Sequence, residues 1–253
     1  MPNRLLILGG TAEAAALARA TIARFGDDIE VTTSLAGRTE RPGPIPGQVR
    51  IGGFDGPAGL AAYLKEYAID CLIDATHPFA ARIAAEARRA CEIAGVPRLT
   101  LSRAPWRRHS LDRWIEVDDM AAAARVVARI SRRTWLTIGA GEIAAFSGVT
   151  GVRFLVRLVD PPRQPLPLRF CEVIVGRGPF ALADERHLVA RHAIDTLVCK
   201  ASGGTATQAK LVAAREFSLP VVMVRRPPPE PGDVVETIET ALDWLASRFR
   251  IHR

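Results

Sequence analysis

The run Leu5-Leu6-Ile7-Leu8-Gly9-Gly10-Thr11-Ala12-Glu13-Ala14 reads as an apolar strand that bends at two glycines into a helix. Such a bend lets backbone N–H groups approach an anion, with the positive end of the helix dipole behind them. The dinucleotide fingerprint G-x-G-x-x-G is incomplete, because Thr11 and Ala14 stand where further glycines belong. A turn that uses glycine only for close packing is therefore the alternative. The next apolar run ends in Thr32-Thr33-Ser34-Leu35-Ala36-Gly37-Arg38, where NAD enzymes usually carry an acidic residue for the ribose 2′-hydroxyl. Hydroxyls and a guanidinium suit a 2′-phosphate instead, which favours NADPH over NADH. On the other reading, Arg38 and Arg41 belong to a loop without a ligand.

Two further clusters could carry chemistry. Asp74-Ala75-Thr76-His77-Pro78-Phe79-Ala80 follows a short apolar run, at the end of a parallel strand where open α/β folds bind ligands. His77 could deliver a proton near neutral pH with Asp74 orienting it, or it could simply cap the helix that Pro78 begins. Val198-Cys199-Lys200-Ala201-Ser202-Gly203-Gly204-Thr205 repeats the theme of strand, glycine pair and helix with a hydroxyl at its start. It reads as a second anion nest, with Lys200 and Lys210 as point charges, or as an ordinary glycine turn with two surface lysines. Gly139-Ala140-Gly141-Glu142 is a weaker echo. The candidate catalytic residues are His77, Asp74 and Lys200; Gly9, Gly10, Thr11, Glu13, Thr33, Ser34, Arg38, Thr76, Ser202, Gly203, Gly204 and Thr205 are assigned to the cofactor.

The elements that must position these residues are β-branched or leucine-rich runs alternating with alanine-rich stretches of helical period, the signature of βαβ units around parallel sheets. Strands are expected at Arg4 to Gly9, Ile29 to Ser34, Val49 to Ile51, Cys71 to Asp74 and Arg98 to Leu101. One helix carries the stripe Leu17, Ile22 and Phe25, and another carries Phe79, Ile83, Ala87, Cys91 and Ala94, with Pro78 as its first residue. After Ser102-Arg103-Ala104-Pro105-Trp106 the pattern restarts, with strands at Trp114 to Val117, Thr134 to Ile138, Arg153 to Leu158, Thr196 to Cys199 and Val221 to Val224. Helices are expected from Asp119 to Ile130, near Phe180 to Arg191 and after Gly204, and one closes the chain. The expected fold class is α/β, two Rossmann-like domains with parallel sheets flanked by helices: 1–105 binding NADP, 106–253 contributing to substrate and cofactor binding, and the active site in the cleft between them.

Composition narrows the classes. The 253 residues are 48% hydrophobic and 24% charged, which excludes wholesale disorder and low-complexity tails. No apolar run approaches the ~18 residues of a membrane span, and no signal peptide is evident, so a cytoplasmic protein without a membrane partner is expected. The four cysteines suit buried thiols better than a cystine framework. Basic residues number 34 against 27 acidic, a net charge of +7, and nearly all are arginine, favouring an anionic partner. Spread along the chain without zinc-finger spacing or aromatic stretches, they fit a small polyanion better than nucleic acid. Tyr-x-x-x-Lys, GxSxG, Walker A and HExxH motifs are all missing, and the five histidines have no metal spacing, so no metal is expected.

Leu8-Gly9-Gly10-Thr11-x-Glu13, Thr33-Ser34-Leu35-Ala36-Gly37-Arg38, Asp74-Ala75-Thr76-His77-Pro78-Phe79-Ala80 and Lys200-x-Ser202-Gly203-Gly204-Thr205 together give the chain a likeness running nearly end to end. With these motifs the sequence resembles the precorrin-6A reductase family of cobalamin biosynthesis. The resemblance implies NADPH-dependent reduction of one double bond of the precorrin-6A macrocycle to precorrin-6B, with arginines and the Lys200 region binding a polycarboxylated tetrapyrrole. Its anaerobic counterpart, cobalt-precorrin-6A reductase, and a non-catalytic NADP-sensing module are the alternatives. A monomer is expected.

Overall fold

The structure, a computed structural model, describes residues 2–37 and 43–249. Arg38 and Arg41, singled out above for the cofactor phosphate, lie outside the described residues. The chain divides into two units, Met1–Ala104 with Pro227–Arg253, and Pro105–Arg226.

The first unit is built on a six-stranded parallel sheet. Its strands are β1 (Asn3–Leu8), β2 (Ile29–Leu35), β3 (Gln48–Ile51), β4 (Cys71–Asp74), β5 (Arg98–Leu101) and β12 (Asp233–Val235), in the order β12-β5-β4-β1-β2-β3. Four helices cover it: α1 (Ala12–Phe25), α2 (Pro57–Glu66), α3 (Ala81–Ala94) and α7 (Ile238–Phe249). The two-residue period of β1 feeds both faces. Leu5 and Ile7 join Leu17 and Phe25 of α1 and Leu245 of α7 in one core, whereas Leu6 and Leu8 join Leu60 and Leu64 of α2 and Ala87 and Cys91 of α3 in another. A strand buried on both sides must be apolar throughout, which is why β1 reads as an unbroken leucine-isoleucine run.

The second unit repeats the plan with β6 (Arg113–Val117), β7 (Arg133–Thr137), β8 (Arg153–Leu158), β9 (Cys171–Val175), β10 (Thr196–Lys200) and β11 (Pro220–Val224), all parallel, in the order β6-β11-β10-β7-β8-β9. Its helices are α4 (Met120–Ile130), α5 (Leu182–Arg191) and α6 (Ala209–Glu216). Asp119 caps α4 by accepting the Ala122 amide at 2.6 Å. No described helix in either unit is long and apolar enough to cross a membrane.

Three local expectations change. Residues 106–253 do not form one domain: β12 pairs with β5, and the Ala241–Leu242–Leu245 face of α7 packs against α1, so the chain returns to the first sheet after Arg226. The third helix starts at Ala81 rather than Pro78, because the Ala80 amide closes a turn on the His77 carbonyl at 2.7 Å before any helical bond forms. The sixth helix starts at Ala209, five residues past Gly204, after two successive glycines with φ of +69° and +76° that no helix accommodates. The sequence reading assigns no element to α2, β9 or β12.

Candidate active site

In the first sheet the connections leave β1 in opposite directions, towards β2 on one side and β4 on the other. Open parallel sheets bind ligands at the carboxyl ends of the two strands flanking such a reversal. Leu8 and Asp74 are register partners there, and the Ala75 amide donates to the Leu8 carbonyl at 3.0 Å. The two motifs are also stitched together beyond the strands. Thr11 Oγ1 donates to the Ala75 carbonyl at 2.7 Å and accepts the Ala14 amide at 3.1 Å, so one hydroxyl caps α1 and fixes it to the end of β4.

Gly9 and Gly10 serve different needs. The Gly9 amide donates to the Ser34 carbonyl at 2.9 Å, pulling the bend against β2, and a Cβ on Gly9 would sit 2.8 Å from Thr33 Cγ2. Gly10 has φ of +103° with open space where a side chain would go, a conformation that glycine alone adopts cheaply. Thr33 is wholly buried beneath the bend, and its Oγ1 has no hydrogen-bond partner among the described residues. Its part is to pack under Gly9. Glu13, in the first turn of α1, accepts from Arg103 at 3.2 Å through Oε1, while its buried Oε2 has no hydrogen-bond partner among the described residues.

The β2 end offers a cation that sequence reading missed. Ser34 Oγ accepts from Arg50 Nη1 at 3.4 Å; the same guanidinium donates to the Gly52 carbonyl at 2.7 Å and to that of Gly53, and lies 3.8 Å over the Phe54 ring. The only signal for it was a basic residue one strand over from the hydroxyls, which is visible once β2 and β3 are paired.

On β4, Asp74 Oδ1 accepts from the Thr76 amide at 3.0 Å and the Thr76 hydroxyl at 2.7 Å. Burial pushes its carboxyl above the usual carboxylate range; the Thr76 hydrogen bonds and the Arg98 charge pull the other way. His77 Nδ1 accepts the Phe79 amide at 3.2 Å, which leaves the neutral ring's proton on Nε2.

In the second unit the matching reversal falls between β7 and β10. Lys200 Nζ there donates to both carboxylate oxygens of Glu142 at 2.9 Å, and Glu142 Oε2 also accepts the Gly139 amide at 2.9 Å. Glu142, within the weaker glycine echo, thus holds the lysine. Ser202 and Gly204 face inward contacts: the Ser202 amide donates to the Lys200 carbonyl at 2.7 Å, the Ser202 carbonyl accepts from Arg226, and the Gly204 carbonyl accepts from the Trp106 indole at 2.5 Å. Gly203 and Gly204 form the bend, and the Thr205 carbonyl accepts the Gln208 amide at 3.1 Å, one turn ahead of α6. Lys210 is buried in α6 rather than at the surface. It donates to Thr137 Oγ1 at 2.9 Å, and desolvation holds its amine below the ordinary lysine range.

The sequence model of the family described as "Precorrin-6x reductase CbiJ/CobK" matches residues 4–246. The chain belongs to this family. It is an oxidoreductase, and its parallel sheets superpose on a solved structure titled "CobK precorrin-6A reductase" with a TM-score of 0.92 at 41% identity, covering 97% of each chain. Among precorrin-6x reductase relatives, the precorrin-6A reductase of Rhodobacter capsulatus is 43% identical over 96% of each chain, and that of Rhodococcus erythropolis 42% over 98% of this chain and 99% of its own. The cobalt-precorrin-6A reductase of Priestia megaterium is 27% identical over 97% of this chain and 99% of its own.

Proposed function

We propose that this protein uses NADPH to reduce one double bond of precorrin-6A, giving precorrin-6B in cobalamin biosynthesis. The observation that carries this reading is the Gly9-Gly10-Thr11 bend tied to the end of β4 at the strand reversal, in a chain 43% identical to a precorrin-6A reductase. The bend fits a dinucleotide phosphate. Gly10 leaves open space beside the backbone, and the first amides of α1 are aimed beyond the strand end with Thr11 closing only that of Ala14. Ser34 and Arg50 lie one and two strands further on, as a hydroxyl and a guanidinium suited to a 2′-phosphate, and Arg38 is proposed to join them.

When bound, NADPH supplies hydride to the electron-poor conjugated ring. The chain's own work is positioning and charge. Asp74 and Thr76 lock the turn that carries His77, whose Nε2–H is held as a hydrogen-bond donor towards the substrate, while the accompanying proton is drawn from solvent water. In the second unit, Lys200 is proposed to bind the carboxylate arms of the substrate, exchanging its Glu142 partner for a substrate carboxylate, and the Ser202–Thr205 bend to serve the cofactor. A macrocycle without cobalt is favoured, because identities of 41–43% to precorrin-6A reductases exceed those of 25–28% to the cobalt-precorrin-6A reductases.

Single-turnover mixing with NADPH and precorrin-6A, followed by the visible spectrum of the macrocycle, tests the reading. Loss of the precorrin-6A spectrum coupled to NADPH oxidation is expected. An unchanged spectrum with both ligands present would sink it.

A further inference from the structure

A pocket of about 440 Å³ opens at the amino ends of β7, β8 and β9 in the second unit, the opposite edge of that sheet from Lys200 and Glu142. Four arginines line it, Arg133, Arg153, Arg169 and Arg191, against one carboxylate, Glu172. Glu172 lies 3.3 Å from His192 Nδ1. Among the described residues none of the four guanidiniums pairs with a carboxylate. The nearby Asp195 is committed to backbone, accepting the Arg132 and Arg133 amides at 2.8 and 3.0 Å.

The concentration of charge is built into the sheet. Arg133 and Arg153 are direct register partners on neighbouring strands, an arrangement in which like charges repel. The end of α5 answers for part of it: Arg191 lies in the last turn, and Arg133 Nη1 reaches the His192 carbonyl at 3.4 Å, both suited to the negative end of a helix. Arg153 and Arg169 have no such partner. Their guanidiniums lie 6.0 and 5.4 Å from the centre of the half-exposed Phe170 ring, which braces them at the rim. Planar guanidiniums held around a concave space, uncompensated by protein carboxylates, match the geometry of phosphate and carboxylate oxygens.

We propose that this pocket is a binding site for a small polyanion bearing at least two phosphate or carboxylate groups, with Arg153 and Arg169 as the residues that grip it. The site stands independently of the reductase reading, because it lies on the far edge of the second sheet and uses none of the residues assigned to cofactor or substrate.

Cys171 gives a local readout. It lines the pocket and is exposed, whereas Cys71, Cys91 and Cys199 are buried, the first two with thiols pushed up to about 12. Alkylation of Cys171 in the whole protein by the uncharged reagent iodoacetamide is measured by mass spectrometry, at ionic strength matched with sodium chloride, while inorganic pyrophosphate or citrate is titrated in. Saturable protection is expected. Protection by pyrophosphate alone assigns a phosphate ligand, and protection by citrate alone a carboxylate. In Arg153→Gln/Arg169→Gln, half-protection should need at least about tenfold more of the probe, with turnover of precorrin-6A unchanged. No protection by either probe, or protection equally strong in the double variant, would overturn the proposal.

Discussion

Thr11 Oγ1 and the Ala75 carbonyl, 64 residues apart in sequence, are 2.7 Å apart in space. Through that single bond the glycine bend after β1 and the Asp74–His77 turn after β4 become one structure. Thr11→Val should remove both the cap on Ala14 and the tie to Ala75, at a cost of about 1–2 kcal/mol in stability. Thr11→Ser, which keeps the hydroxyl, should recover most of it. Thermal unfolding of the two variants measures the difference, and equal losses would deny the hydroxyl its role.

Gly9 is glycine because of Thr33. A Cβ at Gly9 would meet Thr33 Cγ2 at 2.8 Å, and the wholly buried, β-branched threonine has little room to move. Gly9→Ala should cost roughly 1–3 kcal/mol by overpacking. Thr33→Ser deletes the offending methyl, so the double variant should be more stable than the sum of the single changes indicates. Additive losses in denaturant titrations would place the strain elsewhere.

The ionised form of Asp74 is disfavoured by burial, so its folded-state carboxyl titrates above the unfolded value of 3.8. A group shifted this way takes up a proton on folding, and its ionisation lowers stability as pH rises through the window above 3.8. Asp74→Asn retains an acceptor for Thr76 and removes that penalty. The variant should gain stability relative to the parent at neutral pH, and the gap should narrow as pH falls towards 3.8. A gap that widened on acidification would reverse the assignment.

Lys200 and Glu142 make a pair that is only partly shielded, with side chains 17% and 31% exposed. Such pairs contribute about 0–1 kcal/mol, so neither Lys200→Ala nor Glu142→Gln should shift the melting temperature much. Catalysis should separate them. Lys200→Ala is expected to raise KM for precorrin-6A while leaving NADPH affinity nearly unchanged, whereas Glu142→Gln removes only the competing carboxylate charge and should leave KM equal or lower. A loss confined to NADPH binding in the lysine variant would move Lys200 to the cofactor.

Arg38 and Arg50 are both offered to the 2′-phosphate. Arg38→Ala and Arg50→Ala should each weaken NADPH by about 1.5–3 kcal/mol, the usual worth of a charged hydrogen bond, and leave the weaker NADH binding nearly as it was. Calorimetric titration with both nucleotides gives the comparison. Because Arg50 also holds the Gly52 and Gly53 carbonyls, equal weakening of NADPH and NADH in that variant would mark it as a support for the β3 turn alone.

Much of this protein is readable without coordinates. Local pattern alone sufficed for β1, β2, β4 and the other central strands, because central strands carry runs of apolar or β-branched residues and the helices between them must carry a one-sided stripe. The glycine bend was equally local, as were the motifs that carry the family likeness. Two of the four edge strands escaped: β9 is largely exposed, and β12 is three residues of which two are exposed.

What depended on the tertiary structure was every relation between distant residues. That the chain comes back after Arg226 to finish the first sheet follows from the pairing of β12 with β5, which no segment encodes by itself. Lys210 looks like a surface charge in sequence and is buried, because the helix face it occupies is set by packing against β10 and β7 rather than by its own polarity. Arg50 came next to Ser34 only when β2 and β3 were paired, and Lys200 met Glu142 only when β10 was laid beside β7 and the turn after it. Residue type and short-range spacing determine which elements form; which side chains then share a site is decided by strand order and register, which depend on the whole fold at once.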